Sequence, residues 1–198
     1  QGAEGRSGSA RRGYQAGFPS SSPFATSVGG TDFSTKDVIG DETCWVGSGG
    51  GFSNQFARPK YQADAVAAYL SNASDLPPQS AYNRTGRGIP DVAALAGNQN
   101  QYCISLHSKM SVAYGTSAAT PVLAGVIAKL NELRLAKGKA AMGFINPFFY
   151  ANPSAFNDVT TGKNSVEKTF KGGFPAVKGW DACTGLGTPD FAALAKLV

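Results

Sequence analysis

The segment Tyr114-Gly115-Thr116-Ser117-Ala118-Ala119-Thr120-Pro121 leads into the longest periodic stretch of the chain. Beyond it Val122, Leu123, Val126, Ile127, Leu130 and Leu133 recur at helical spacing, which predicts a buried helix of about five turns from Ser117 to near Gly138. Pro121 falls in the first turns, where a missing amide costs least. Gly125, in the helix interior, predicts close contact with a neighbouring element. Ser117 thus stands where strand or loop becomes helix, between Gly115 and Ala118. Two readings are open. Small neighbours leave room for a substrate, and the unpaired amides and positive dipole end of a helix start stabilise an alkoxide or oxyanion, which suits a nucleophile. The same position also suits an ordinary N-cap, which serine favours.

Outward from this segment, strand and helix signals alternate. Asp91 to Ala96, between Pro90 and Gly97, and Tyr102 to Leu106 are short apolar runs that suit central strands of a covered sheet. Phe24 to Val28 reads as a strand ending at Gly29-Gly30, and Tyr61 to Leu70 as a helix with Ala65, Val66, Tyr69 and Leu70 on one face. The class is α/β. Gly47 to Gly51, with only Ser48 interrupting, is either a flexible turn or a wall where another backbone comes close.

With 198 residues, 42% apolar and 11% aromatic, the chain can bury the core of one domain, which excludes general disorder. Only 16% of residues are charged, and 25 Gly with 11 Pro point to many turns. The net charge of +5 is spread singly apart from Arg11-Arg12, so no basic stripe of the nucleic-acid-binding kind exists. No apolar run reaches the roughly 18 residues of a membrane span, and Gln1 to Gly13 lack an apolar signal segment. The sequence reads as a mature product or a piece of a longer polypeptide. Cys44, Cys103 and Cys183 are too few for a disulfide scaffold and too far apart for a zinc motif, and their odd number leaves at least one unpaired unless a partner lies outside this chain. Asn72-Ala73-Ser74 and Asn83-Arg84-Thr85 have the pattern of glycosylation acceptors, which fits secretion. His107, the only histidine, has no partner nearby in sequence and reads as a surface or strand-edge residue.

Gly115-Thr116-Ser117-Ala118-Ala119-Thr120-Pro121 resembles the nucleophile motif shared by subtilisin-like serine proteases and the sedolisin, or serine-carboxyl, peptidases. Phe18-Pro19-Ser20-Ser21-Ser22-Pro23, Ser48-Gly49-Gly50-Gly51-Phe52-Ser53-Asn54, Pro90-Asp91-Val92-Ala93-Ala94, Gly143-Phe144-Ile145-Asn146-Pro147 and Gly179-Trp180-Asp181 are similar to the sedolisin branch, in particular its tripeptidyl-peptidase I-like group. They follow the family's order. The resemblance implies a subtilisin-like parallel sheet flanked by helices, with residues 1–198 as the C-terminal part of one catalytic domain. It implies that Ser117 forms an acyl-enzyme on a peptide or protein substrate, and that Gly49, Gly50 and Gly51 wall the groove. It also implies a C-terminal calcium loop holding one Ca²⁺ through the side chains of Asp158 and Asp181 and the carbonyls of Val159, Val177 and Gly179. The family usually has Gly where Val177 stands, so Val177 must keep a negative φ there.

In such peptidases a Glu is the base, an Asp on the same helix supports it, and a second Asp stabilises the oxyanion. Carboxyls in these roles imply action at acid pH. By the same resemblance these groups precede Gln1, with Gln1-Gly2-Ala3 as the tail of the oxyanion turn, and none of Glu4, Asp32, Asp37, Asp41 or Glu42 matches them. The expected partners are therefore the N-terminal half of the domain and a propeptide, and the isolated chain is expected to be inactive and to expose apolar surface. Secreted, lysosomal or vacuolar placement follows from the family. Tripeptide release and endopeptidase action both remain open. Two alternatives stand beside this reading: a subtilisin-like endopeptidase fragment using an upstream His at neutral pH, and a catalytically inactive, calcium-stabilised pseudoprotease module.

Overall fold

The computed structural model describes residues 14–36, 38–164 and 173–198. In chain order the main elements are β1 (Val28–Phe33), β2 (Glu42–Cys44), β3 (Gly51–Ala57), α1 (Ala63–Asn72), β4 (Gly86–Ile89), β5 (Val92–Leu95), β6 (Tyr102–Leu106), β7 (Lys109–Ala113), α2 (Thr116–Ala136), α3 (Asn146–Ala151), β8 (Phe156–Asn157), β9 (Thr188–Pro189) and α4 (Phe191–Leu197). Strands that run parallel need a long crossover, and the chain between β1 and β5 supplies one through α1. β1 and β5 pair in parallel, Val28 opposite Val92 and Thr31 opposite Leu95. β2 returns by a shorter connection and so lies antiparallel on the other side of β1. α2 packs across β1 and β5, which places its first turn at the ends of both strands. The parallel arrangement expected from sequence is present in this central pair, while the other strand pairs are antiparallel.

Four expectations need correction. β1 does not end at Gly29-Gly30 but runs through them, and Phe24 is 83% exposed. The glycines are inside the strand because a Cβ on Gly29 would lie 2.7 Å from Pro90 Cγ, and one on Gly30 2.7 Å from the Ala96 Cβ. Tyr102 to Leu106 is not a central strand. Among the described residues β6 pairs only with β7, through a turn in which His107 and Ser108 have φ of 50° and 61°. Both positive values mark the tight turn whose twist suits a hairpin, so the apolar run is consumed locally and Leu106, Met110 and Val112 stay exposed. His107 is accordingly at a surface turn. Gly125 has open space where close contact was expected, with nothing within 4 Å of an added Cβ. α2 is buried along only one stripe, Ala119, Leu123 and Leu130, and Val122 is 41% exposed.

Beneath this layer Phe52, Val66, Tyr69, Phe149, Phe174 and Trp180 form the main core. A second cohesive element is polar. Arg87 and Asp91, both fully buried, pair at 2.6 Å. Arg87 also donates to the carbonyls of Ser22, Ala25 and Gly88, while Asp91 accepts from the Ser27 amide and the Tyr150 hydroxyl. Cys44 and Cys183 form a disulfide across 139 positions, and Cys103 is free and exposed, so the odd count does leave one thiol unpaired. No described helix is long and apolar enough to cross a membrane.

Removing one member of a buried pair strands the other's charge without water. Asp91→Ala is expected to lower unfolding stability by about 3–5 kcal/mol, read from the urea midpoint of the variant against the parent.

Candidate active site

The first turn of α2 is fixed from behind. Gly115, the residue capping the helix, donates its amide to the Ala96 carbonyl at 2.6 Å, and its own carbonyl accepts from Ala118 and Ala119. Its φ of 105° and ψ of 163° are open to glycine and strained for any other residue. This settles the two readings of Ser117 in one respect. The cap is Gly115, and Ser117 is the second helical residue, with no capping bond from its side chain. Ser117 is exposed, and among the described residues its Oγ has no hydrogen-bond partner. Thr120 donates to the Thr116 carbonyl at 2.8 Å, and Pro121 has no N–H to return to the Ser117 carbonyl. The amides of Thr116 and Ser117 precede the first helical hydrogen bond, at the positive end of the helix dipole.

Ser117 lies on a ridge between two clefts. The first, of about 310 Å³, is lined by Phe18, Thr26, Ser27, Thr116 and Thr120 among others, and is rich in hydroxyls. The second, of about 510 Å³, is lined by Tyr102, Ile104, Tyr114, Pro121 and Val122 and is mostly apolar, with Cys103 at its wall. Tyr114 is held edge-on against Trp45 at 6.4 Å. An extended chain laid across the ridge would meet different surfaces on the two sides of the hydroxyl. Neither cleft contains a described Asp, Glu or His. The Gln1-Gly2-Ala3 segment, expected to end an oxyanion turn, lies outside the described residues, as does Asp37. Asp32 is a structural carboxylate, accepting from the amides of Phe33 and Gln99 and from Asn100.

Gly49, Gly50 and Gly51 line neither cleft. Gly50 is buried, and a Cβ there would stand 1.8 Å from the Ala182 carbonyl, while Gly51 opens β3 opposite Ile89. The close backbone approach read from the glycine run is thus real, with the chain's own segment as the neighbour. Ser48 joins the two sides, accepting from the Gly30 amide and donating to the Cys183 carbonyl.

Asp158 and Asp181 are brought to one loop. Asp158 Oδ2 accepts the Gly179 amide at 2.8 Å, and Asp181 Oδ2 accepts the Val177 amide at 3.1 Å. Asp181 is completely buried, and its Oδ1 takes the amides of Cys183 and Thr184. Burial pushes its carboxyl up to about 7, against the lowering by these hydrogen bonds. No cationic side chain among the described residues pairs with it, and no group of three or more His, Cys, Asp or Glu converges there. Val159 is buried beside Asp158, Val177 avoids positive φ as required, and Gly179 has φ of 85°.

Sequence reading missed the cleft linings. Thr26 and Ser27 come to Ser117 because Arg87 and Asp91 hold residues 22–27 in place, and Tyr114 because the hairpin ends there. The hydroxyls of Ser20 to Ser22 and Thr26-Ser27 were the only local sign of the first cleft.

Residues 4–142 match the family model of Peptidase S8, the subtilase family. Tripeptidyl-peptidase 1 of Bos taurus is 44% identical over 192 residues, covering 95% of this chain and 34% of that protein. The Homo sapiens protein of the same name is 43% identical with the same coverage. The chain thus spans about a third of the length of these relatives. Among solved structures, Pseudomonas sedolisin (serine-carboxyl proteinase), complexed with two molecules of pseudo-iodotyrostatin, superposes with a TM-score of 0.72 at 27% identity, covering 93% of this chain and 48% of that one. The architecture is therefore the subtilisin-like α/β fold. The chain belongs to the subtilase family, as a tripeptidyl-peptidase 1-like member of its sedolisin kind.

Proposed function

We propose that the chain carries the nucleophile of a serine peptidase that acts on peptide or protein substrates at acid pH. The observation that carries this reading is Ser117 itself: an exposed, unpartnered hydroxyl in the first turn of a long helix, between two clefts that can take the chain on either side of a scissile bond. The hydroxyl attacks the carbonyl and forms an acyl-enzyme, and the first-turn amides with the helix dipole favour the oxyanion. A hydroxyl needs a base, and no described carboxyl lies in either cleft. We infer that a Glu, its supporting Asp and the oxyanion Asp come from the N-terminal part of the same catalytic domain, which a propeptide accompanies during maturation. Carboxylate machinery of this kind sets an acid optimum, in keeping with secreted or lysosomal and vacuolar surroundings.

The full-length natural polypeptide is expected to cleave peptides with a maximum below neutrality, and Ser117→Ala to lower kcat by about 10⁴–10⁶-fold. A fluorogenic tripeptide amide and an internally quenched longer peptide, assayed side by side, separate tripeptide release from endopeptidase action. A neutral optimum would instead favour a histidine base, and unchanged turnover in Ser117→Ala would remove the serine mechanism.

The loop at Asp158 and Val177 to Asp181 fits one Ca²⁺ in its donor chemistry. Two carboxylates with the carbonyls of Val159, Val177 and Gly179 are hard oxygen donors, and Asp181 is a buried carboxylate without a cationic partner whose Oδ2 is the less engaged oxygen. A bound ion would supply the missing positive charge and hold the loop to β8. At a hundredfold excess over its dissociation constant, Ca²⁺ is expected to add about 2.7 kcal/mol of stability, or about 5–10 °C in Tm. Asp158→Asn should reduce that shift, and a Tm indifferent to chelator would rule out the site.

A further inference from the structure

We propose that Asn72 is an N-glycosylation site whose first sugar covers the cleft between α1 and the loop at Val177 to Gly179. Asn72 is the last residue of α1 and is exposed, and among the described residues its side-chain amide has no partner. At Ala73 the chain leaves the helix in an extended conformation, φ −71° and ψ 127°, so the triplet Asn72-Ala73-Ser74 projects from the helix end. The second triplet differs. Asn83 is half-buried, its amide donates to the Ser53 carbonyl at 3.0 Å, and its Oδ1 accepts the amide and hydroxyl of Thr85. Among the described residues the Asn72 nitrogen is thus free, while that of Asn83 donates to the Ser53 carbonyl.

Two further observations point the same way. The disulfide Cys44–Cys183 belongs to an oxidising compartment, the route on which N-glycans are added. Asn72 also stands at the edge of a cleft of about 230 Å³, walled by Ala65, Ala68, Pro153, Lys178 and Gly179, a space suited to a single pyranose ring. A sugar linked to Asn72 reaches this cleft without any rearrangement of the backbone, and its apolar face meets Ala68 and Pro153 while its hydroxyls meet Lys178. In the transfer, Asn72 Nδ2 bonds to C1 of the reducing-end N-acetylglucosamine of a lipid-pyrophosphate oligosaccharide. The C1–O bond to phosphate breaks, the lipid pyrophosphate leaves as the anion, and one amide proton is lost. The inference rests on the disulfide, the triplet and the cleft, and stands apart from the peptidase reading.

The test is peptide mass mapping of the natural full-length polypeptide secreted from insect cells. A glycan on the peptide containing Asn72 is expected, and an unmodified Asn72 overturns the proposal whether or not Asn83 is occupied. Occupancy of the cleft is read separately with Ser74→Ala, which removes the acceptor pattern and keeps Asn72. Trypsin cleavage after Lys178, followed on reducing gels, should be at least several-fold faster in Ser74→Ala, and Tm should fall by about 2–4 °C. Trimming the parent to its single core sugar with endoglycosidase should keep the parent's rate and Tm. Equal cleavage rates in parent and variant would mean that the sugar does not lie in the cleft. Peptide turnover should be unchanged in Ser74→Ala, since neither Asn72 nor Ser74 lines the clefts beside Ser117.

Discussion

The Arg87–Asp91 pair is closed to water on every side and ties together the segments around it. A buried charge pair is tolerated only when its remaining donors and acceptors are also satisfied, and here they are: Arg87 reaches three carbonyls and Asp91 an amide and a hydroxyl. Burial pushes the Asp91 carboxyl above its usual range, and Arg87 works against that shift. Because the partners are spread over residues 22–27, β4 and α3, the pair sets how these segments sit together. Gln62 extends the network, bonding both the Gly88 backbone and the Tyr150 hydroxyl. Thr26 and Ser27, held in this way, become one wall of the cleft beside Ser117. The surroundings of the Ser117 hydroxyl thus depend on a buried polar interaction to which Ser117 itself does not belong.

A second anchor lies at the other end of the chain. The Cys44–Cys183 disulfide and the Ser48 bridge from Gly30 to Cys183 fasten the C-terminal loop to β2 and β1, while the Asp181 carboxyl braces that loop internally. Gly50 lets the Ala182 backbone come close enough for this to happen. The helix α2 and the C-terminal loop therefore share one sheet as their common support, although about 60 positions separate Ser117 from Asp181 in sequence.

What was legible in the sequence was what repeats locally. The period of α2 is long enough to identify it, and the Gly-Thr-Ser motif at its start placed Ser117 before any tertiary contact was known. α1 and β5 follow from the same kind of pattern. The misreadings share another cause: a run such as Tyr102 to Leu106 looks the same whether its partner is a core strand or the next five residues, and only the two left-handed residues at the turn decide it. Gly29 and Gly30 resemble a strand end until Pro90 and Ala96 are seen beside them. Partnerships across great sequence distance left no local trace. The Cys44–Cys183 link, the Tyr114–Trp45 contact and the arrival of Thr26 at Ser117 belong to this class.

The disulfide has one more consequence, which concerns the integrity of the molecule. The loop that it closes contains α1, the β6–β7 hairpin and the whole of α2, including Ser117. A single backbone cut at an exposed turn inside this loop, for example at His107-Ser108, yields two polypeptides that remain one covalent particle. One such nick thus leaves the segment that carries Ser117 attached to the rest of the molecule.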